Sequence, residues 1–234
     1  MAKLDITAIV PCYNEEKTIG SVLKALKTSP ELRKVIVVDD CSTDGSKEVI
    51  RKFDVQLISN IKNLGKGGSV KKALQLVKTK YVMMCDADLR WLHKDSITAL
   101  LKPLADNTDV MAVGLRDHDW HRQKPLKWVN APLLMIGGER ALKTSYLKAA
   151  CNDRRTAKHG LEPVLNFYCK RNKIKIVKVN LEKVDDVCKL DKPTYGWRPL
   201  VLEVFNVVGT YASLYFEDWM VSMKRVMSQN GKRT

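Results

Sequence analysis

The chain has 234 residues, 45% apolar and 29% charged, a balance that fills a sizeable core and excludes an intrinsically disordered chain. The formal net charge of +15 points to acidic partners: nucleic acid, anionic lipid or phosphorylated small molecules. The six cysteines never form a CxxC pair, which argues against a zinc site or disulfide frame and for the reduced thiols of a cytosolic protein.

Residues 1–5 carry no targeting signal and run directly into a predicted strand over 6–10. Ile19, Val22, Leu23 and Leu26 then follow the spacing of a helix face. A second strand is predicted over 34–39, a short helix from Asp44-Gly45-Ser46 to about residue 53, and a third strand over 55–58. Val70, Ala73, Leu74 and Val77 mark the next helix face. Residues 81–85 read as the fourth strand, 96–104 as a helix and 110–115 as a fifth strand. Apolar runs separated by amphipathic helices predict a mainly parallel α/β sheet covered on both faces, with ligands beyond the carboxyl ends of its strands.

Those strand ends carry acids and turn formers: Pro11-Cys12-Tyr13-Asn14-Glu15, Asp39-Asp40-Cys41-Ser42-Thr43-Asp44 and Asp86-Ala87-Asp88. The topology would gather them along one edge. Clustered carboxylates need cations if they are to stay ionised. Two of them one residue apart suit a hard divalent ion, magnesium or manganese, that also takes oxygens from a substrate diphosphate.

The second half is less regular. Residues 116–128 form a basic, aromatic loop. Residues 139–150 and 161–170 are predicted as helices, and 174–179 and 183–187 as extended. From Pro199 onward, Glu203, Asn206, Thr210, Ser213 and Glu217 make a narrow polar stripe on a C-terminal amphipathic helix. That helix is too short and too interrupted to span a bilayer. It would lie on a membrane surface, with Lys224, Arg225, Lys232 and Arg233 facing anionic lipid, or pack on the domain or on a second subunit as a homodimer contact.

The segments "IVPCYNEEKTIGSVLKAL", "VIVVDDCSTDGS", "NLGKGGSVKKAL" and "YVMMCDAD" stand in order and at near-typical spacing. Together they resemble the nucleotide-sugar domain of family 2 glycosyltransferases with the Rossmann-like GT-A fold. Looser similarity through "GLR", "GGERALK" and "HGLEPVLNFYCKRNKIKIVKV" is most like the dolichyl- or polyprenyl-phosphate sugar synthases. The resemblance implies a GT-A domain over 1–190, with a nucleotide-sugar half at 1–115 and an acceptor half at 116–190, followed by a helical appendage at 191–234.

It also implies residue roles. Pro11, Tyr13 and Glu15 would line the nucleoside pocket, and Asp40 or Asp39 would take a donor from the base. Gly65-Lys66-Gly67-Gly68 would let backbone approach a UDP- or GDP-linked sugar. Asp86 would sit near the ribose and the metal, and Asp88 would ligate the metal directly. Arg90 departs from the pattern, since relatives often carry an amide or acid there and a cation cannot ligate a metal. Arg116, Arg140 and Lys143 occupy positions similar to those that bind an acceptor phosphate. Glu162 is the candidate base for an alcohol acceptor, and His159 a candidate third metal ligand. An ionised phosphate acceptor needs no strong base, so few bases and many cations both favour polyprenyl phosphate. A saccharide or small-molecule hydroxyl is the alternative acceptor, and a nucleotidyltransferase a more distant alternative.

Overall fold

The computed structural model describes residues 4–116, 137–157, 160–186 and 197–230. Strands β1 (Ile6–Cys12), β2 (Leu32–Asp39), β3 (Gln56–Ser59) and β4 (Tyr81–Met84) alternate with helices α1 (Ile19–Thr28), α2 (Ser46–Ile50) and α3 (Gly65–Leu74). The short β5 (Leu89–Arg90), α4 (Lys94–Asp106), β6 (Val110–Arg116) and β7 (Arg140–Lys143) follow. Then come α5 (Thr144–Ala150), a 3-10 turn (Arg154–Thr156), α6 (Leu161–Arg171), β8 (Lys175–Leu181), β9 (Asp185–Asp186) and α7 (Trp197–Asn230).

Seven strands form one sheet in the order β3-β2-β1-β4-β7-β6-β8. All neighbours are parallel except β7, which runs antiparallel to both β4 and β6. Successive side chains on a strand point to opposite faces, and here both faces are covered. Ala8, Val10, Val35, Val37, Tyr81, Met83 and Ala112 join a core with α1 and α4. Ile9, Ile36, Val38, Val82, Met84, Met111 and Val113 join a second core with α3, α5 and α6. The central strands β1, β4 and β6 are therefore largely apolar, which is why the sequence shows runs rather than alternation there.

The chain turns from β1 toward β2 and β3 on one side and toward β4 on the other, so the crevice of this switch point lies between β1 and β4. Register fixes what surrounds it. Cys12 lies opposite Asp39, and Ile9 opposite Met84, so the residues after β1, β2 and β4 share one edge.

The single helix predicted over 139–150 is instead β7 followed by α5. Ala141 and Leu142 are fully buried between β4 and β6. Pairing in the middle of a sheet overrides the helix preference of Arg-Ala-Leu-Lys, because that preference amounts to only about 1 kcal/mol over a few residues. Of the predicted polar stripe of α7, Ser213 and Glu217 meet Arg155, while Val207, Tyr211 and Leu214 are buried. Among the described residues no helix is long and apolar enough to cross a membrane, and the cysteines are free.

Candidate active site

The loops after β1 and β2 are tied together by hydrogen bonds. The Asn14 amide donates to Ser42 Oγ at 3.0 Å, the Glu15 amide to Ser46 Oγ at 2.7 Å, and the Glu16 amide to Asp44 Oδ2 at 3.1 Å. In return the Thr43 amide donates to Asn14 Oδ1 at 2.8 Å. Asp44 also accepts from the Ser46 amide at 3.0 Å, so it anchors the start of α2. Tyr13 is left exposed above this seam, with Pro11 and Glu15 half-buried beside it. These are the three residues expected to contact a nucleoside.

Asp39 and Asp40 play different parts. Asp40 is buried, and its carboxylate accepts from Asn60 Nδ2 at 2.7 Å and from the Leu64 and Gly65 amides, each at 2.8 Å. It fastens the glycine-rich turn to β2. Asp39 accepts from the Ser42 amide at 3.2 Å, and Lys47 Nζ lies 3.4 Å from its other oxygen. Gly67 also differs from expectation. A Cβ at this position would lie 1.7 Å from the Thr156 carbonyl oxygen, so the missing side chain admits the 3-10 turn rather than a nucleotide.

Lys66 is the centre of the acidic edge. Its Nζ lies 2.5 Å from Asp86 Oδ1 and 2.6 Å from Glu162 Oε1. The cation that balances Asp86 in this structure thus comes from the chain itself, from the first turn of α3. Despite burial, the two carboxylates hold the ammonium pKa well above the ordinary lysine value. Asp86 and Asp88 are half-buried at the end of β4. A Cβ at Gly138 would fall 1.9 Å from Asp86 Oδ2, so the glycine at 138 leaves room for this carboxylate. Two hard oxygen donors one residue apart, with a cradle kept open by glycine, fit a magnesium or manganese ion that completes its shell from a diphosphate. Among the described residues no cluster of three possible ligands occurs. His159, the candidate third ligand, lies outside the described residues.

Glu139, which the sequence reading placed inside a helix, belongs to this edge. Its carboxylate is fully buried, and Arg116 Nε lies 3.6 Å from its Oε2. Burial pushes its pKa up to about 7 against the opposing pull of Arg116, with nearby Asp86 raising it further. The one signal that could have found it was an acid directly after paired glycines.

The remaining cations separate by strand direction. Arg140 is fully buried; its Nε donates to the Gly137 carbonyl at 2.9 Å and its Nη1 to Asn166 Oδ1 at 2.7 Å. The phosphate contact expected of it is replaced by a tie between β7 and α6, with its charge felt by Glu162. Lys143 pairs with Asp109 and lies opposite Tyr81, the first residue of β4. Because β7 runs antiparallel, Lys143 is at the far edge of the sheet from Asp86. Arg90 is exposed on β5, opposite Asp185. Beyond Arg116, the basic, aromatic loop lies outside the described residues.

The model of glycosyl transferase family 2 matches residues 7–156, which takes in the ends of β1, β2, β4 and β6 but not Glu162. The chain belongs to glycosyl transferase family 2. An uncharacterized protein of Methanocaldococcus jannaschii is 38% identical over 130 residues, 50% of this chain and 55% of that protein. The dolichyl-phosphate beta-glucosyltransferase of Drosophila melanogaster is 30% identical over 135 residues, 49% of this chain and 41% of that enzyme. The chain spans about half the length of the curated relatives it matches. Among solved structures, glucosyl-3-phosphoglycerate synthase from Mycobacterium tuberculosis, in complex with Mn2+, UDP and glucosyl-3-phosphoglycerate, superposes with a TM-score of 0.73. At 20% identity, over 91% of this chain and 80% of that one, this likeness establishes a shared GT-A fold. Family membership leaves no support for the nucleotidyltransferase alternative.

Proposed function

We propose that this family 2 glycosyltransferase moves a hexosyl group, with inversion, from a UDP- or GDP-linked sugar to a polyprenyl phosphate at the cytoplasmic face of a membrane. The observation that carries this reading is the double ion pair of Lys66 with Asp86 and Glu162 at the end of β4. It brings a glycine-rich helix start, a D-x-D pair and an acid of the acceptor half to one point. Pro11, Tyr13 and Glu15 hold the nucleoside, with Asp39 at the wall of its pocket. Lys66 lies where the diphosphate charge would accumulate and offsets it electrostatically. Asp86 and Asp88 would hold the divalent ion, which when bound neutralises charge on the departing diphosphate.

The acceptor follows from what the site offers a nucleophile. An ionised phosphate oxygen attacks without surrendering a proton, so it needs a cation to hold it rather than a base. Arg116 supplies that cation at the end of β6. Glu162 has one oxygen engaged by Lys66, which makes it a holder of Lys66 rather than a free base. The dolichyl-phosphate relative supports the same choice. A hydroxyl acceptor would instead require Glu162 to take the proton.

A thermal-shift screen of UDP- and GDP-sugars with and without manganese or magnesium tests the donor half. Stabilisation should require nucleotide and cation together and vanish in Asp88→Ala. Transfer of labelled sugar into an organic phase with added polyprenyl phosphate tests the acceptor. Label appearing only in a water-soluble saccharide, with Glu162→Gln reducing kcat more than ~100-fold, would hand the site to the hydroxyl alternative.

A further inference from the structure

Helix α7 has two unlike faces. Toward the body it buries Val207, Tyr211 and Leu214. Tyr211 Oη accepts from Asn166 Nδ2 at 2.8 Å, and Arg155 Nη1 lies 3.0 Å from both Ser213 Oγ and Glu217 Oε1. Away from the body stand Leu202, Phe205, Phe216 and Trp219, between 55% and 71% exposed, with Gly209 and Ala212 exposed between them. An apolar row of this kind on a soluble surface marks an interface.

The six positions step by three and four residues, the spacing at which one helix meets another. Their sizes read the same in both directions: two large, two small, two large. Turned end for end about the point between Gly209 and Ala212, the row falls on itself. Leu202 then meets Trp219 of a second copy, Phe205 meets Phe216, and Gly209 meets Ala212. A Cβ at Gly209 would meet no atom within 4 Å, so the centre is open to another backbone.

We propose that the outer face of α7 is a homodimer contact, two copies of the helix packing antiparallel with Gly209 and Ala212 at the two-fold axis. Such a contact is isologous, as closed dimers require. The small centre lets the backbones approach until the phenylalanines on either side stack across the axis. The antiparallel direction also sets the helix dipoles head to tail. The row is about 26 Å long at 1.5 Å per residue, and the body lies on the other side of the helix, so a second copy approaches unhindered.

Charge selects this occupant over an anionic bilayer. Along the apolar row, from Pro199 to Met223, the sequence contains Glu203, Glu217 and Asp218 but no lysine or arginine, and the helix's cations, Arg198, Lys224 and Arg225, stand only at the two ends of the row. A helix lying on anionic lipid needs cations along its polar flanks. A dimer in which each copy covers the other's apolar row needs none.

Sedimentation equilibrium of the full chain, with Phe216→Glu and Gly209→Leu compared against the parent, tests the contact. The parent should dimerise at micromolar concentration, and each variant should raise the dissociation constant at least tenfold (about 1.4 kcal/mol) with an unchanged far-UV spectrum. Gly209→Leu separates the possibilities, because it adds apolar area and helix propensity. A bilayer or a foreign apolar partner would bind that variant more tightly, and only a close self-pair loses by it. A parent monomeric up to about 100 µM, well above the range of a specific dimer, would overturn the proposal, as would a dimer surviving both substitutions. Flotation of a monomeric parent with anionic vesicles, strengthened by Gly209→Leu, would assign the face to a membrane.

Discussion

A single ammonium holds two acids from opposite halves of the chain. Replacing Lys66 with methionine keeps most of the side-chain volume but strands Asp86 and Glu162 together without their cation. Breaking a partly buried pair on one side costs on the order of 2–4 kcal/mol, and here two acids lose the same partner. Lys66→Met should therefore lower unfolding stability by about that amount and donor turnover by ~100-fold, measured by denaturant titration and steady-state transfer. A variant as stable and active as the parent would remove Lys66 from the site. The acids themselves were legible, because Asp86 and Asp88 interrupt an apolar run. Their partners were not. Lys66 and Glu162 are remote from Asp86 in sequence, and only folding brings the three together.

Glu139 makes the site sensitive to pH in a calculable direction. Its folded-state pKa of about 7 stands above the ordinary carboxylate value because burial disfavours the anion. Between pH ~4.5 and ~7 the unfolded chain releases this proton while the folded chain keeps it, so stability falls as pH rises through that window. Above it the full penalty, on the order of 2–3 kcal/mol, persists. Glu139→Gln should leave stability near pH 4.5 little changed and raise it relative to the parent at pH 8. Equal pH profiles for the two proteins by chemical denaturation would show that the carboxyl group is not held protonated.

At the level of elements, glycine positions explain what a motif alone does not. The stretch Gly65-Lys66-Gly67-Gly68 reads from sequence as a surface made for a nucleotide. In the fold, Asp40 holds its first amides and Gly67 sits against the Thr156 carbonyl. Gly67→Ala should consequently cost about 2–4 kcal/mol by forcing α3 away from the 3-10 turn. The loss should appear in unfolding stability without any nucleotide present, whereas a purely substrate-facing glycine would change only KM. The same scale accounts for the misread segment at 139–150. Apolar periodicity locates buried residues but cannot tell a short central strand from a helical turn when the residues favour helix. Strand direction then decided the fate of two cations, placing Arg140 in the interior and Lys143 at the far edge.

For the molecule as a whole, the first four strands and their parallel, doubly covered sheet were legible because such strands are largely apolar and alternate with amphipathic helices, whereas their order β3-β2-β1-β4 came from the fold. The acceptor half was less legible, because its strands are short or partly exposed and their partners are distant in sequence. The antiparallel β7 joins these halves physically. Tyr81–Met84 is buried along its whole length, and Arg140–Lys143 pairs with its edge on the side away from β1. While the polypeptide is emerging from the ribosome, β4 presents an unpaired, wholly apolar border until the residues of β7 have been added. Cut after residue 115, the chain would offer neighbouring molecules the open edge of β4 as a template for strand pairing.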